Sequence, residues 1–166
     1  MFGALAEGPF RGAVRMQTSK TKRVSARPTP KPTVRRPPLS GVRVSTHEVS
    51  LHPLHGTPGK GGCPGGEKWR IDYAGMRAGE VFINLIDERP LGQHASIQIF
   101  LNLKSQGRGI GRIGYFKACQ ASSHAVIYAH MRKSNFASCK AAEAAGFIDV
   151  TPPGVTQLIM VWIRKS

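Results

Sequence analysis

The spacing of apolar residues changes partway through the second half of the chain. Ile97, Ile99, Leu101 and Leu103 fall on one side of an extended segment and Gln98, Phe100 and Asn102 on the other, the period of two of a strand. From Gly111 onward the row moves to Ile113, Phe116 and Gln120, which is helical spacing. The same reading predicts strands over 69–74, 80–87 and 94–103, a helix over 109–121, a strand over 124–131, a helix over 135–145, and final strands near 147–151 and 156–164. Such an order implies an α/β fold, with a mixed, mostly antiparallel sheet flanked by helices. Farther upstream, Val42, Val44 and Thr46 alternate within 41–50, which predicts a first strand there.

The change of period falls on Gln106-Gly107-Arg108-Gly109-Ile110-Gly111, where three of six positions lack a side chain. A ligand can approach that backbone closely and bond to its amide hydrogens. These amides open a helix, whose N-terminus carries roughly half a positive charge, so the predicted guest is a pyrophosphate. A P-loop would need Lys and Ser or Thr after the last glycine, but Gly114 is followed by Tyr115 and Phe116. Gly109-Ile110-Gly111-Arg112-Ile113-Gly114 also fits the dinucleotide fingerprint. That fold expects an acidic residue about 20 positions on to hold the ribose. The next strand ends instead in Met131, Arg132 and Lys133, whose cations leave NADP open on charge alone. Only 52 residues follow Gly114, too few for a doubly wound sheet.

A third reading uses the whole region. Gln106-x-x-Gly109-x-Gly111 resembles the acetyl-CoA loop of the GNAT superfamily of acyl-CoA N-acyltransferases: Arg or Gln, two residues, Gly, one residue, then Gly or Ala. A second match follows at the family's distance, with Asn135 just before a helix, Ser138 three residues on, and Gly146-Phe147 at the helix end. The resemblance covers residues 67–166 and implies an N-acetyltransferase acting through direct attack of a neutral amine on the thioester of acetyl-CoA. It implies that strands 94–103 and 124–131 splay apart to admit the pantetheine arm, which bonds to backbone groups of Leu101 and Leu103. Pyrophosphate would take amides from Gln106, Gly107, Arg108, Gly109, Ile110 and Gly111. Asn135 would lie against the pantetheine or acetyl end, and Arg108, Arg112 and Lys140 are candidates for the 3′-phosphate.

The catalytic groups are less well marked. Many family members place a Tyr seven residues after the Asn as acid for the leaving thiolate, where this chain has Ala142. That leaves Ser138, Cys139 or water, and a positioned acid is typically worth about 10²–10⁴-fold. A base for the ammonium proton is sought among Glu80, Asp87 and Glu88 on or beyond the second predicted strand of the domain, and His94, Ser96 and Gln98 on the next, with Glu80 taken as the candidate. Neutralising a Lys side chain at pH 7 costs about 4.6 kcal/mol and an α-amino group about 1.1, so a weakly equipped site favours a protein N-terminus or a small amine of low pKa. The strand-then-helices segment that shapes the family's acceptor site has no helical counterpart between Ser50 and Lys68. That departure keeps open a catalytically weak or inactive CoA-binding module.

Composition divides the chain near Gly66. Residues 1–66 hold nine of the twelve prolines and eleven basic against two acidic residues, which reads as a largely disordered basic arm. Residues 67–166 carry thirteen basic and seven acidic residues, completing a net +15. That charge raises a weak nucleic-acid or ribosome association through the arm, although few aromatics interleave the cations. Residues 11–46 have the Arg- and Ser/Thr-rich, acid-free composition of a transit peptide, but their prolines would break its amphipathic helix. No run of about 18 apolar residues marks a membrane span. Three cysteines without CxxC spacing predict a reducing, cytoplasmic setting. His47, His52, His55 and Cys63 match no common zinc module, so no metal is expected.

Overall fold

The structure, a computed structural model, describes residues 44–165. The seven strands are β1 (Val49–Pro53), β2 (Glu67–Tyr73), β3 (Met76–Glu88), β4 (Gly92–Leu101), β5 (Val126–Arg132), β6 (Ile148–Asp149) and β7 (Gln157–Ile163), and the two helices are α1 (Ile110–Ala121) and α2 (Phe136–Ala144). They form one sheet of order β1-β2-β3-β4-β5-β7-β6. Every neighbouring pair is antiparallel except β4 and β5, as the helical crossover through α1 requires.

Alternation sorts the sheet into two faces. Trp69, Ile71, Val81, Ile83 and Ile97 pair across β2, β3 and β4 and are buried with Ile113, Ala118 and Cys119 of α1. Gly114 permits that approach, because a Cβ there would stand 2.8 Å from Ile99 Cδ1 and 3.1 Å from Ile71 Cδ1. Helix α1 therefore buries Ile110, Ile113, Tyr115, Ala118 and Cys119 and turns Phe116 outward. This differs from the expected row through Phe116. The opposite sheet face carries Lys68, Arg70, Glu80, Phe82, Asn84, Ser96, Gln98 and Phe100.

From residue 67 onward the predicted elements lie within three residues of the observed ends, except β3, which extends four residues upstream of its expected start at 80. Two further differences bear on function. Strand β4 stops at Leu101, because the Asn102 side chain accepts from the Ser105 amide and caps a 3-10 turn over Leu103–Ser105. Leu103 is thus 83% exposed and is not a strand residue. The folded unit also reaches well upstream of residue 66: Val44 and Val49 are buried in the core, and Lys117 donates to the Val49 carbonyl at 2.6 Å. The first strand is β1, displaced from the expected 41–50; residues 41–43, and the arm through residue 43, lie outside the described residues. Between β1 and β2 the chain makes turns rather than helices, and Asn84 fastens them by accepting from the Gly61 amide at 2.8 Å and donating to the Gly59 carbonyl at 2.9 Å.

Candidate functional site

Strands β4 and β5 are bridged at one place, Ser96 opposite Tyr128, and part beyond it. Asn102 donates its amide to Ala78, so in β4 the even-numbered residues turn their peptide groups to β3 and Ile99 and Leu101 turn theirs into the gap. The Leu101 carbonyl is engaged from that side by Gln106 Nε2 at 3.0 Å.

The gap opens into a cleft of about 560 Å³ bounded by Ile99, Leu101, the glycine loop, Tyr115 and one side of α2. Gly107 (φ 73°) and Gly109 (φ 81°) adopt left-handed conformations that bring the loop round to the start of α1, with Gly109 as its N-cap. No side chain caps this helix, so its first amides point outward at the positive end of the dipole. Gly111 forms the floor, where a Cβ would lie 3.5 Å from Ala141 and 3.7 Å from Leu101 Cδ1. This is a cradle shaped for an anionic group: bare backbone, free donors and a narrow floor.

The three candidate cations separate. Arg112 and Lys140 line the cleft, while Arg108 is turned away onto Tyr73, with its guanidinium carbon 4.6 Å from the ring centre and Nη2 donating to the phenol oxygen at 3.3 Å. Ile110 sends its side chain into the core, so Arg108 and Ile110 contribute backbone alone to the loop. Across the cleft Asn135 is the N-cap of α2 and accepts from the Ser138 amide at 3.2 Å. Asn135 and Ser138 both line the opening.

Tyr115 is a functional candidate that the helical row through Ile113, Phe116 and Gln120 does not mark, and the structure buries it beside the cleft. Its ring packs edge-on against Phe147, centroids 5.6 Å apart, and its hydroxyl lies 3.1 Å from Ser138 Oγ. Burial raises its pKa, with the Ser138 contact acting the other way, so the phenol is protonated at neutral pH. Ala142 is wholly buried and does not line the cleft, whereas Tyr115 of the neighbouring helix does.

Glu80 sits on the other sheet face. Its carboxylate is 3.3 Å from Lys60, 3.2 Å from Lys68 and 3.6 Å from Arg77. Burial pushes its pKa up, but Lys68 and Lys60 outweigh that and hold it low. A carboxylate held this way is a poor proton acceptor near neutral pH. Asp87 and Glu88 are exposed at the strand end, whereas His94 and Ser96 are buried near the bridge between β4 and β5. Among the described residues no group of three or more His, Cys, Asp or Glu is arranged to hold a metal ion, and no helix is long and apolar enough to cross a membrane.

No family profile matches the sequence, and no curated protein matches it. Among solved structures, an acetyltransferase of the GNAT family from Streptococcus agalactiae superposes with a TM-score of 0.51 at 12% identity, covering 60% of this chain and 66% of that one. The fold is that of the GNAT acetyltransferases. Two further acetyltransferase structures superpose with lower scores. The Microcin C7 self-immunity acetyltransferase MccE, crystallised with acetyl-CoA and AMP, gives 0.48 at 23% identity over 61% of this chain and 62% of its own. Spermidine N-acetyltransferase from Vibrio cholerae, in complex with CoA and spermine, gives 0.46 at 21% over 60% and 66%. The chain spans 62–66% of the length of these three structures.

Proposed function

We propose that the protein transfers an acetyl group from acetyl-CoA to a primary amine. One observation carries the reading: a glycine loop at a helix N-terminus opens directly into a gap between two parallel strands that share a single bridge and no further ladder. A pyrophosphate needs the first feature, and an arm containing amides needs the second. On this reading the amides of Gly107 through Gly111 hold the pyrophosphate, and Arg112 and Lys140 attract the 3′-phosphate. Ile99 and Leu101 pair with the pantetheine arm as a neighbouring strand would. The Ile99 amide, the first to face the gap past the bridge at Ser96, is the donor for the oxyanion. The leaving thiolate is served by the Ser138 hydroxyl, backed by the proton of Tyr115, and Asn135 borders the same end.

The acceptor reaches the thioester from the sheet face bearing Ser96 and Gln98. Among the described residues this face carries the turns over 54–66 and no helix, which also favours a second reading as a CoA-binding module without turnover.

Calorimetric titration of the full chain with acetyl-CoA, CoA, NADP and ATP, followed by acetylation assays on peptide α-amines, lysine peptides and polyamines, separates the cases. The expected result is binding of acetyl-CoA and CoA alone, turnover with at least one amine, and loss of both in Gly111→Val, whose methyls project into the cleft. Binding without turnover would select the CoA module, and binding of NADP or of nothing would end both readings.

A further inference from the structure

The bridge between β4 and β5 carries a histidine pair that the cleft does not account for. His94 Nδ1 lies 2.7 Å from the Gly92 carbonyl oxygen, so that nitrogen carries the proton. The ring's Nε2 then holds a lone pair, and it lies 2.8 Å from His130 Nε2, which must be the donor. His130 Nδ1 is left as the basic atom of the pair. Position makes this notable. His130 lies on β5 two residues past Tyr128, inside the splay, while His94 lies on β4 two residues before Ser96, and the Tyr128 ring stands edge-on to His94 at 5.1 Å. Both rings lie on the sheet face away from α1 and α2, since Ile127, Ala129 and Met131 occupy the other face of β5. That is the face from which an acceptor would approach, and His130 is half-buried whereas His94 is 7% exposed.

We propose that His130 is the general base for the acceptor amine and that His94 is its positioning residue, fixing ring and tautomer through the Gly92 carbonyl. The inference rests on the transferase reading above. His130 Nδ1 takes one proton from the ammonium and later returns it to solvent. The neutral nitrogen attacks the thioester carbonyl carbon, the C–N bond forms and the C–S bond breaks; the departing thiolate takes the Ser138 proton, Tyr115 replaces it, and the second nitrogen proton, released to solvent, balances the one that Tyr115 regains. Burial lowers the His130 pKa, the adjacent His94 lowers it further, and Glu88 partly opposes them, so the ring is neutral and ready at pH 7. Tyr128 shares its strand, and from β7 it is faced by Ile159, which does not titrate. An imidazole base suits an α-amine near pKa 7.8 far better than a lysine side chain near 10.4. The acceptor class is therefore a peptide or amino-acid α-amine.

The test is made on the full chain. Histidine ¹⁵N NMR reads the tautomers, with His94 expected as the Nδ1–H form and His130 as the Nε2–H form; the reverse assignment overturns the proposal. With an α-amine peptide as acceptor, His130→Ala should lower kcat/KM by about 10²-fold, in the range for a positioned base, abolish the acidic limb of the pH profile and leave acetyl-CoA affinity unchanged. Added imidazole should restore part of the rate. His130→Gln keeps a donor to His94 but cannot take the proton, so it should show the same loss should the Ala variant fold poorly. His94→Ala should lower kcat and shift the acidic limb rather than remove it. Near-normal turnover with an unaltered limb in both His130 variants overturns the assignment while leaving the transferase reading intact. A wild-type protein that binds acetyl-CoA but acetylates no amine overturns both.

Discussion

Replacing Tyr115 with Phe removes one oxygen and leaves the ring against Phe147, which makes it a clean probe of the Tyr115–Ser138 pair. The contact is a neutral hydrogen bond of 3.1 Å between a buried phenol and a half-buried serine. Such bonds contribute about 1 kcal/mol net, and water can reach Ser138 in the variant, so the expected loss of stability is about 0.5–1 kcal/mol. For a domain of this size that lowers Tm by roughly 2–6 °C. The effect on transfer should be disproportionate. If the phenol supplies the proton that Ser138 passes to the leaving thiolate, kcat falls by about 10²-fold, the lower end for a positioned acid because a thiol leaves tolerably well without help. Acetyl-CoA affinity should not change. The assay is steady-state release of free CoA from the full chain, with affinity from calorimetry and Tm from thermal unfolding. Ser138→Ala should cause a similar kcat loss, and the double variant should be little worse than either single one, since the two act in series. A Tyr115→Phe protein that loses a few degrees of Tm but keeps kcat within about twofold would refute the relay and leave Tyr115 a packing residue.

Gly109→Ala meets open space, its nearest neighbour being Arg112 Nε at 3.7 Å, but must hold φ 81°, which costs about 1–2 kcal/mol. Gly75→Ala, at φ 76° in the β2–β3 turn with nothing within 4 Å, should lose similar stability yet keep acetyl-CoA affinity, whereas Gly109→Ala should lose both, as unfolding and calorimetry will read. Stability should fall as pH drops. His130 has a folded pKa below its ordinary 6.5, so the unfolded chain binds the extra proton and destabilisation begins under that pH. Glu67 and Glu80 follow below 4.5: burial alone would raise each, but Ser122, Ser123 and His124 about Glu67, and Lys68 and Lys60 about Glu80, hold both low in the fold, so their stabilisation is lost as they protonate. Thermal unfolding from pH 7.5 to 4 should show a monotonic decline. Burial pushes the Cys119 thiol up to about 12 and Cys63 is exposed, so a thiol reagent at pH 8 should label Cys63 quickly, Cys139 more slowly, and Cys119 only after unfolding, as read by mass spectrometry.

Local physics made much of this molecule readable in one dimension. Alternation in β4 and the glycines before α1 are short-range signals, and Asn135 with Ser138 is a helix cap that any chain would use. Residues whose meaning depends on tertiary approach were not readable. Tyr115 and Ser138 are 23 positions apart and His94 and His130 are 36 apart, and neither pair has a spacing that a pattern could detect. Glu80 looks like a free carboxylate in sequence because its three cations come from the β1–β2 turns, β2 and β3 itself. Periodicity points Phe116 inward, whereas the close seat of Gly114 on Ile71 and Ile99 rotates the helix to bury Tyr115 instead. Proline and glycine content set the boundary at residue 66 too late, since the turns over 54–66 are fixed by Asn84 rather than by apolar mass of their own.

The lone bridge at Ser96 and Tyr128 gives the sheet the mechanics of two plates joined by a rivet. Strands β1 to β4 form one plate and β5, β7 and β6 the other, and past the rivet their facing edges carry no mutual ladder. A guest lying in the seam would act as a splint, exchanging solvent for hydrogen bonds along both edges at once. Its grip would then depend on the rhythm of its amides more than on the side chains it meets, and slow amide exchange at Ile99 would record the splint in place.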